Sequence, residues 1–225
     1  MIKLEQVHTE GQRKIVRYLI ENYHSYVPSS KSVGRRIDWL IYDDDTFPLH
    51  AVGMIGIGSS VYPPPKDMLE FIGLSKSEYK DVFNSVANNW RFCMKKSIKN
   101  GGTRVLKQVR QLAPNAWKEK YGDDLNYLIT FVGGGNTGAV YKADNWKYMG
   151  MTKGNSIQKA PVQLWKKEDS ARGRLARENP QAAIAKYAVG NKGSESGEHY
   201  KVTKSEPKLI FIKPLIRKWK KVLND

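Results

Sequence analysis

Residues 125–154, LNYLITFVGGGNTGAVYKADNWKYMGMTKG, constrain the fold of this chain more than any other segment. The run Tyr127, Leu128, Ile129, Thr130, Phe131, Val132 is β-branched and aromatic and stops at glycines, which is a strand signal. A glycine-rich turn, one short helix carrying Tyr141 and another strand follow. Gly133-x-Gly135-x-x-Gly138 matches the dinucleotide-binding fingerprint and sits directly after a strand. Its context argues against a nicotinamide or flavin site. That unit needs a full crossover helix, a second strand and an acidic residue roughly 20 positions on. Here a helix spans only about residues 139–146, because residues 147–152 already read as strand. No Asp or Glu lies between Asp144 and Glu168, and no run of βαβ units precedes the glycines. A methyltransferase loop meets the same objection, and Tyr62-Pro63-Pro64-Pro65 reads as a rigid extended loop rather than an amino-methylation box.

Composition narrows the classes. The chain has 225 residues and 40% apolar side chains, enough for one large globular domain or a domain with an insertion. Its one cysteine, Cys93, excludes a disulfide framework and a cysteine-based zinc site, and the four histidines show no ligand spacing. No metal is expected. With no signal peptide and no apolar run near 18 residues, the expectation is a soluble, cytoplasmic protein.

Charge is the second constraint. The formal net charge is +16 and the pI about 9.8. Residues 1–150 carry +6, whereas residues 151–225 carry +10 in half the length. Such a surface suits a polyanion partner, although a solubility surface is the plain alternative. Aromatics among the cations, Trp165, Tyr187, Tyr200 and Trp219, favour nucleic acid because they can stack on bases, or else belong to a core.

Along the chain, Thr9-x-x-Gln12 is a capping box opening a helix with Ile15, Val16, Leu19, Ile20 and Tyr23 on one face. A polar break leads into a hairpin, residues 36–42 and 51–57, joined across a solvated acidic turn at Asp43-Asp44-Asp45. Residues 58–82 read as an irregular excursion with a short helix. Residues 87–94 read as a strand, and Gly101-Gly102-Thr103 starts a helix with Val105, Leu106, Val109 and Leu112 on its apolar face. Pro114 suits the first turn of a continuation ending at Gly122. The expected class is α/β with a mixed sheet.

Laid out this way, three blocks carry a resemblance: YHSYVPSS with RIDWLIYDDD, NNWRFCM with NGGTRVLKQV, and LITFVGGGNTGAVYKADNWKYMGMTKG. Their order resembles the GNAT (acyl-CoA N-acyltransferase) fold. More specifically, residues 18–154 look like the Mom family of phage DNA-adenine modification proteins. The resemblance implies a mixed sheet flanked by helices, with a strand, a glycine-rich pyrophosphate loop and a helix forming the cofactor site. It also implies transfer of a carbamoylmethyl- or acyl-type group to adenine N6, in phage DNA protected from restriction. An acyl-CoA or related acyl donor is the expected cofactor, and DNA the expected partner.

Site residues follow. Backbone N–H groups at a helix start bind phosphate, so Asn100, Gly101, Gly102, Thr103 and Arg104 are candidates for the donor's pyrophosphate, or an ordinary helix start. Ile98 and Thr103 depart from the usual acyltransferase pattern there. Tyr141 stands five residues before Trp146, as the general-acid tyrosine does in the resembled family, with Asn145 where that family has glycine. It is a candidate acid for a leaving thiolate, or a packed core tyrosine. Asp144 is a candidate base, or a surface carboxylate. Asn89 and Arg91 share a strand face, Arg91 for an anion and Asn89 for an adenine edge. His24 and Tyr26 are candidates to line a base pocket, in a polar loop.

Past Gly154 the resemblance fades. The expected organisation is a GNAT-like core over residues 1–154, a basic insertion or extension over 155–207, and a closing strand with a basic terminal helix over 208–225. A helix is expected over 180–189. Arg172, Arg174, Arg177 and Lys192 are the candidate phosphate contacts. Alternative functions are an acyltransferase acting on a protein or small amine, and a catalytically inactive DNA-binding protein of the same fold.

Overall fold

The computed structural model describes residues 2–25, 34–43, 50–61, 64–152, 154, 156–158, 166, 168–180, 182–183, 202–204 and 206–216. Two compact units emerge, Met1–Thr152 with Lys208–Asp225, and Lys153–Pro207. The first contains β1 (Ile2–Gln6), α1 (Glu10–Tyr23), β2 (Arg36–Asp43), β3 (Ala51–Ser59), α2 (Lys66–Ile72), α3 (Glu78–Asp81), β4 (Val86–Met94), α4 (Gly101–Tyr121), β5 (Tyr127–Val132), α5 (Ala139–Ala143) and β6 (Lys147–Met151). The second holds β7 (Ser156–Gln158), α6 (Ala171–Glu178) and β8 (Val202–Lys204), and the chain then returns to the first unit with β9 (Leu209–Pro214). Seven strands form one sheet in the order β1-β2-β3-β4-β5-β9-β6. Every pairing in it is antiparallel except β4 with β5. The architecture is the mixed α/β sheet flanked by helices that the sequence blocks imply.

Each helix is placed by the stripe it buries. The α1 capping box forms as expected: Gln12 N–H donates to Thr9 Oγ1 (3.2 Å) and Thr9 N–H to Gln12 Oε1 (3.0 Å). Val16, Leu19 and Ile20 pack on Leu40, Met54 and Cys93. Ile15 and Tyr23, expected on the same face, instead lie at its rim, 40% and 36% exposed. On the other sheet face α4 buries Val105, Leu106, Val109, Ala113 and Trp117 against Trp39, Ile41, Ile55, Leu128 and Phe211. Emptying one such position, as in Leu106→Ala, costs about 2–5 kcal/mol. Beside α1, α2 and Tyr79 of α3 cover Val86, Tyr127, Ile129, Ile210 and Ile212.

Several expectations change. The chain opens with β1, an edge strand paired to β2, rather than with a helix. Helix α4 runs unbroken through Pro114 to Gly122, its left-handed C-cap (φ +78°), so there is no second helix start. Leu112 faces solvent there, and Ala113 and Ala116 take the buried positions. The apolar run before the C-terminus, read as a closing strand, joins the sheet as β9 between β5 and β6. The two ends of the intervening excursion meet: Thr152 N–H donates to Lys208 O and Lys208 N–H to Thr152 Oγ1, both at 2.9 Å. In the second unit β7 and β8 pair antiparallel, and Ser170 caps α6 by accepting from Gly173 N–H (3.0 Å). The expected helix over 180–189 and the terminal basic helix lie largely outside the described residues.

Candidate active site

The parallel pair β4–β5 holds register only at Val86–Tyr127, Ala87–Leu128 and Asn88–Ile129. Beyond these pairs the strands part. The reason is local to β4: Gly56 of β3 faces Arg91 and Ile57 faces Asn89, so Trp90 is an extra, bulged residue. A bulge bends its strand and sharpens the twist. Strand β5 cannot follow, because β9 holds it in register to Val132. A cleft of about 320 Å³ opens between the two strands.

The bulge also decides which side chains line it. Ala87 and Phe92 pack toward α4, whereas Trp90 and Cys93 pack toward α1, so the cleft is walled from both faces of the sheet. His24, Ser25, Trp90 and Arg91 line the α1 side; Phe92, Val132, Val140 and Tyr141 line the α4 side. Four of the expected catalytic residues, His24, Asn89, Arg91 and Tyr141, therefore meet in one cleft although they come from three separate sequence blocks. Tyr26 lies outside the described residues.

Asn89 is the pivot. Its Nδ2 donates to Gly56 O (2.8 Å) and Arg91 O (3.1 Å), clamping the bulge from both strands. Its Oδ1 accepts the Tyr141 hydroxyl at 2.7 Å. That bond crosses from β4 to α5 and aims the phenol into the cleft, while Trp146 (edge-on, 5.0 Å) and Phe211 (stacked, 5.8 Å) hold the ring. Gly138, at φ +68° before α5, makes this packing possible: a Cβ there would overlap the Phe211 ring. With its amide and carbonyl both bonded within the protein, Asn89 is a scaffold for the bulge more than a free reader of an adenine edge.

Trp90 went unnoticed in the sequence. Its Nε1–H donates to Asp38 Oδ1 (3.1 Å), and Arg36 Nε–H donates to Asp38 Oδ2 (2.6 Å) while its guanidinium lies 4.1 Å over the indole. Gly56 leaves the space, since a Cβ there would overlap both the indole nitrogen and Asp38. Burial raises the Asp38 carboxyl above its ordinary value, against the pull of Arg36 and Trp90. The only sequence signal was the tryptophan itself, in a strand whose bulge no local pattern announces.

His24 ends α1 with its N–H on Ile20 O (3.2 Å). Burial, and then the positive charge of Arg91, push its imidazole down to about 4, so it is neutral at pH 7. Arg91 lies 4.9 Å from the Trp90 ring centre and donates to Trp90 O at 2.6 Å. Opposite, Asn136 in the glycine-rich β5–α5 turn donates to Ser25 Oγ (3.1 Å) and Gly133 O (2.9 Å). The turn carries Gly134, Gly135 and Gly138 at positive φ, and Gly138 lines the cleft.

The expected donor loop is built differently from a bare phosphate cradle. The side of Gly102 is filled by Val140, and that of Gly101 by Ile98 and Met94, so both glycines serve close packing. Asn100 caps α4 in the left-handed region, and its carbonyl accepts the Thr103 hydroxyl at 3.0 Å. The segment is also strongly basic. Lys95, Lys96, Lys99, Arg104 and Lys107 fall in a stretch with no acidic residue before Glu119. Among them only Lys96 carries an ion pair to a described carboxylate, Asp43.

Asp144 is placed away from the cleft. Arg110 of α4 grips both its oxygens (3.0 and 2.6 Å), and Trp146 Nε1–H adds a third bond at 2.9 Å. That geometry braces α5 against α4 and does not present a base to a substrate. In the second unit Arg172 is bidentate to Glu168 (3.0 and 2.8 Å), and Arg177 donates to Lys166 O and Glu168 O. Arg174 is exposed, and Lys192 lies outside the described residues. Among the described residues no cluster of His, Cys, Asp and Glu is arranged for a metal, and no helix is long and apolar enough to cross a membrane.

A family model described as Druantia protein DruA matches residues 1–225, the whole chain. Comparison with curated proteins gives no match. Similar solved structures include a Bacillus subtilis acetyltransferase in complex with CoA, at 9% identity and a TM-score of 0.45 over 96% of this chain and 100% of that one. The ribosomal-protein-S18-alanine N-acetyltransferase of Escherichia coli aligns at 8% identity and 0.44, over 96% and 94%. A mosquito arylalkylamine N-acetyltransferase like 5b aligns at 11% and 0.45, over 95% and 100%.

Proposed function

The chain belongs to the DruA family, and we propose that it is a group transferase whose β4–β5 cleft joins an acyl-type group to an amino nitrogen. The observation that carries this reading is the Tyr141 hydroxyl, fixed on Asn89 at 2.7 Å inside a cleft walled from both sheet faces. Two reactants can approach such an opening from opposite sides and meet at one hydroxyl. The basic start of α4, with Lys99 just before it, suits the phosphates of a CoA-like donor, and Arg104 and Lys107 line a separate recess beside Ile2. When bound, that donor supplies an activated acyl carbon on a thiol leaving group. A C–N bond forms and the C–S bond breaks; nitrogen releases one proton and sulfur takes one up.

Each residue has a task in this scheme. Tyr141 is the proton donor at the leaving atom, its orientation set by Asn89. Phe92, Val132 and Val140 keep water from the reacting bond, which strengthens every electrostatic contact there. His24, neutral at pH 7, takes no charge from the acceptor side before reaction. We further propose adenine N6 in DNA as the acceptor, on the Mom-like blocks and the net charge of +16; a base in a duplex has to be flipped out to reach such a cleft.

The test incubates the purified protein with an acyl-CoA and duplex or single-stranded DNA, following free thiol release and then digesting the DNA for nucleoside mass spectrometry. DNA-dependent thiol release with a heavier deoxyadenosine is expected. Unchanged nucleosides beside an acylated small amine or protein would establish the second reading.

A further inference from the structure

Among the described residues lining the cleft none is acidic, and Arg91 is the one permanent cation. The composition of that wall discriminates by charge. A protonated amine, such as a polyamine or a lysine side chain, would enter beside a like charge with no carboxylate among the described lining residues to receive it. An anion would enter beside a guanidinium in a partly desolvated space, where charge-assisted hydrogen bonds are at their strongest. We infer that Arg91 selects the acceptor: the cleft takes a substrate carrying a phosphate or carboxylate close to its amino group and rejects cationic amines. This rests on the group-transfer reading of the same cleft and names the acceptor's chemical class.

The placement of Arg91 supports it. The bulge at Trp90 puts two successive residues, Trp90 and Arg91, on the α1 side of the sheet, whereas a regular strand would have turned one of them away. The Arg91 side chain is held over Trp90 and onto its carbonyl, so its position is fixed before any substrate arrives. On the same α1 side of the cleft, burial and then the Arg91 charge lower the His24 imidazole. The other polar side chains lining the cleft near it, Ser25, Asn136 and Thr137, carry no charge. His24 is therefore a built-in reporter of what binds to Arg91.

The experiment is an NMR titration of the His24 imidazole in the whole protein without donor. The probes are deoxyadenosine 5′-monophosphate, deoxyadenosine, glycine and putrescine. An anion on Arg91 offsets its charge, so the nucleotide should bind and raise the His24 pKa, while deoxyadenosine and putrescine should leave it unmoved. A response to glycine rather than the nucleotide would identify a carboxylate-bearing acceptor. Arg91→Gln should raise the His24 pKa without any ligand and weaken anion binding about 10- to 100-fold, with Arg91→Lys keeping much of it. Putrescine binding as well as the nucleotide, or a His24 pKa unmoved by every anion, would overturn the inference. Because binding is read without turnover, anion selection with no catalysis would sink the transfer reading alone.

Discussion

Replacing Asp144 separates a brace from a catalytic base. Its carboxylate is 7% exposed, its partner Arg110 29%. Asp144→Ala strands a buried indole N–H, which costs about 1–3 kcal/mol. It also breaks an ion pair lying between the surface case, worth under about 1 kcal/mol, and the buried one, at about 3–5 kcal/mol. The expected total loss is about 3–4 kcal/mol, large against a typical stability of about 5–15 kcal/mol. Asp144→Asn keeps an acceptor for Trp146 but loses the charge and the oxygen that takes the Arg110 Nη2–H, for about 1.5–3 kcal/mol. Urea unfolding followed by tryptophan fluorescence measures both, and a double-mutant cycle with Arg110→Met should show coupling of about 1–2 kcal/mol. Transferase activity per folded molecule should survive in Asp144→Asn. A variant that unfolds at the wild-type urea concentration yet has lost its activity would refute the brace and restore the base.

Three more outcomes follow from the geometry. Tyr141→Phe removes one hydroxyl, so stability should fall by only about 1 kcal/mol in urea while turnover falls about 10²-fold or more. Gly56→Ala should cost about 1–3 kcal/mol and shift the tryptophan emission, because the new methyl displaces Trp90 from Asp38. The His24 imidazole is depressed in the folded state, so it should stabilise the protein above about pH 6.5 and lose that contribution as pH falls toward 4. The expected loss is about 2 kcal/mol, after allowance for its partial exposure, and should be absent in His24→Gln when unfolding is followed against pH.

The sequence showed some of this site for definite reasons. The β5 strand, its glycine turn and the short α5 announce themselves because β-branched runs and glycines act locally. So Tyr141 could be named, and Gly138 proves to be a packing necessity rather than a phosphate contact. His24, Asn89 and Arg91 were candidates through the family resemblance and strand alternation, and the sheet brings them together. The bulge was invisible, since Trp90 becomes an extra residue only through pairing with a distant strand. Gly56 and Asp38, which accommodate it, looked like ordinary strand residues. Asp144 read as a surface carboxylate or a base because its partner Arg110 is 34 residues away. The split of β4 from β5 depends on β9; its apolar run read as a closing strand, but its place between β5 and β6 is set by pairing that no local pattern announces.

The account turns on the β4–β5 cleft being where a group is transferred to a DNA base. Thr137→Trp tests this without touching the proposed catalytic groups, because Thr137 is exposed at the cleft rim and its replacement fills the opening. DNA from cells expressing the wild type, Thr137→Trp or Tyr141→Phe would be digested and its nucleosides weighed by mass spectrometry. The account predicts a heavier deoxyadenosine with the wild type and at least about 100-fold less with either variant. The same modified nucleoside at wild-type level from the blocked-cleft protein, or none from the wild type itself, would contradict it.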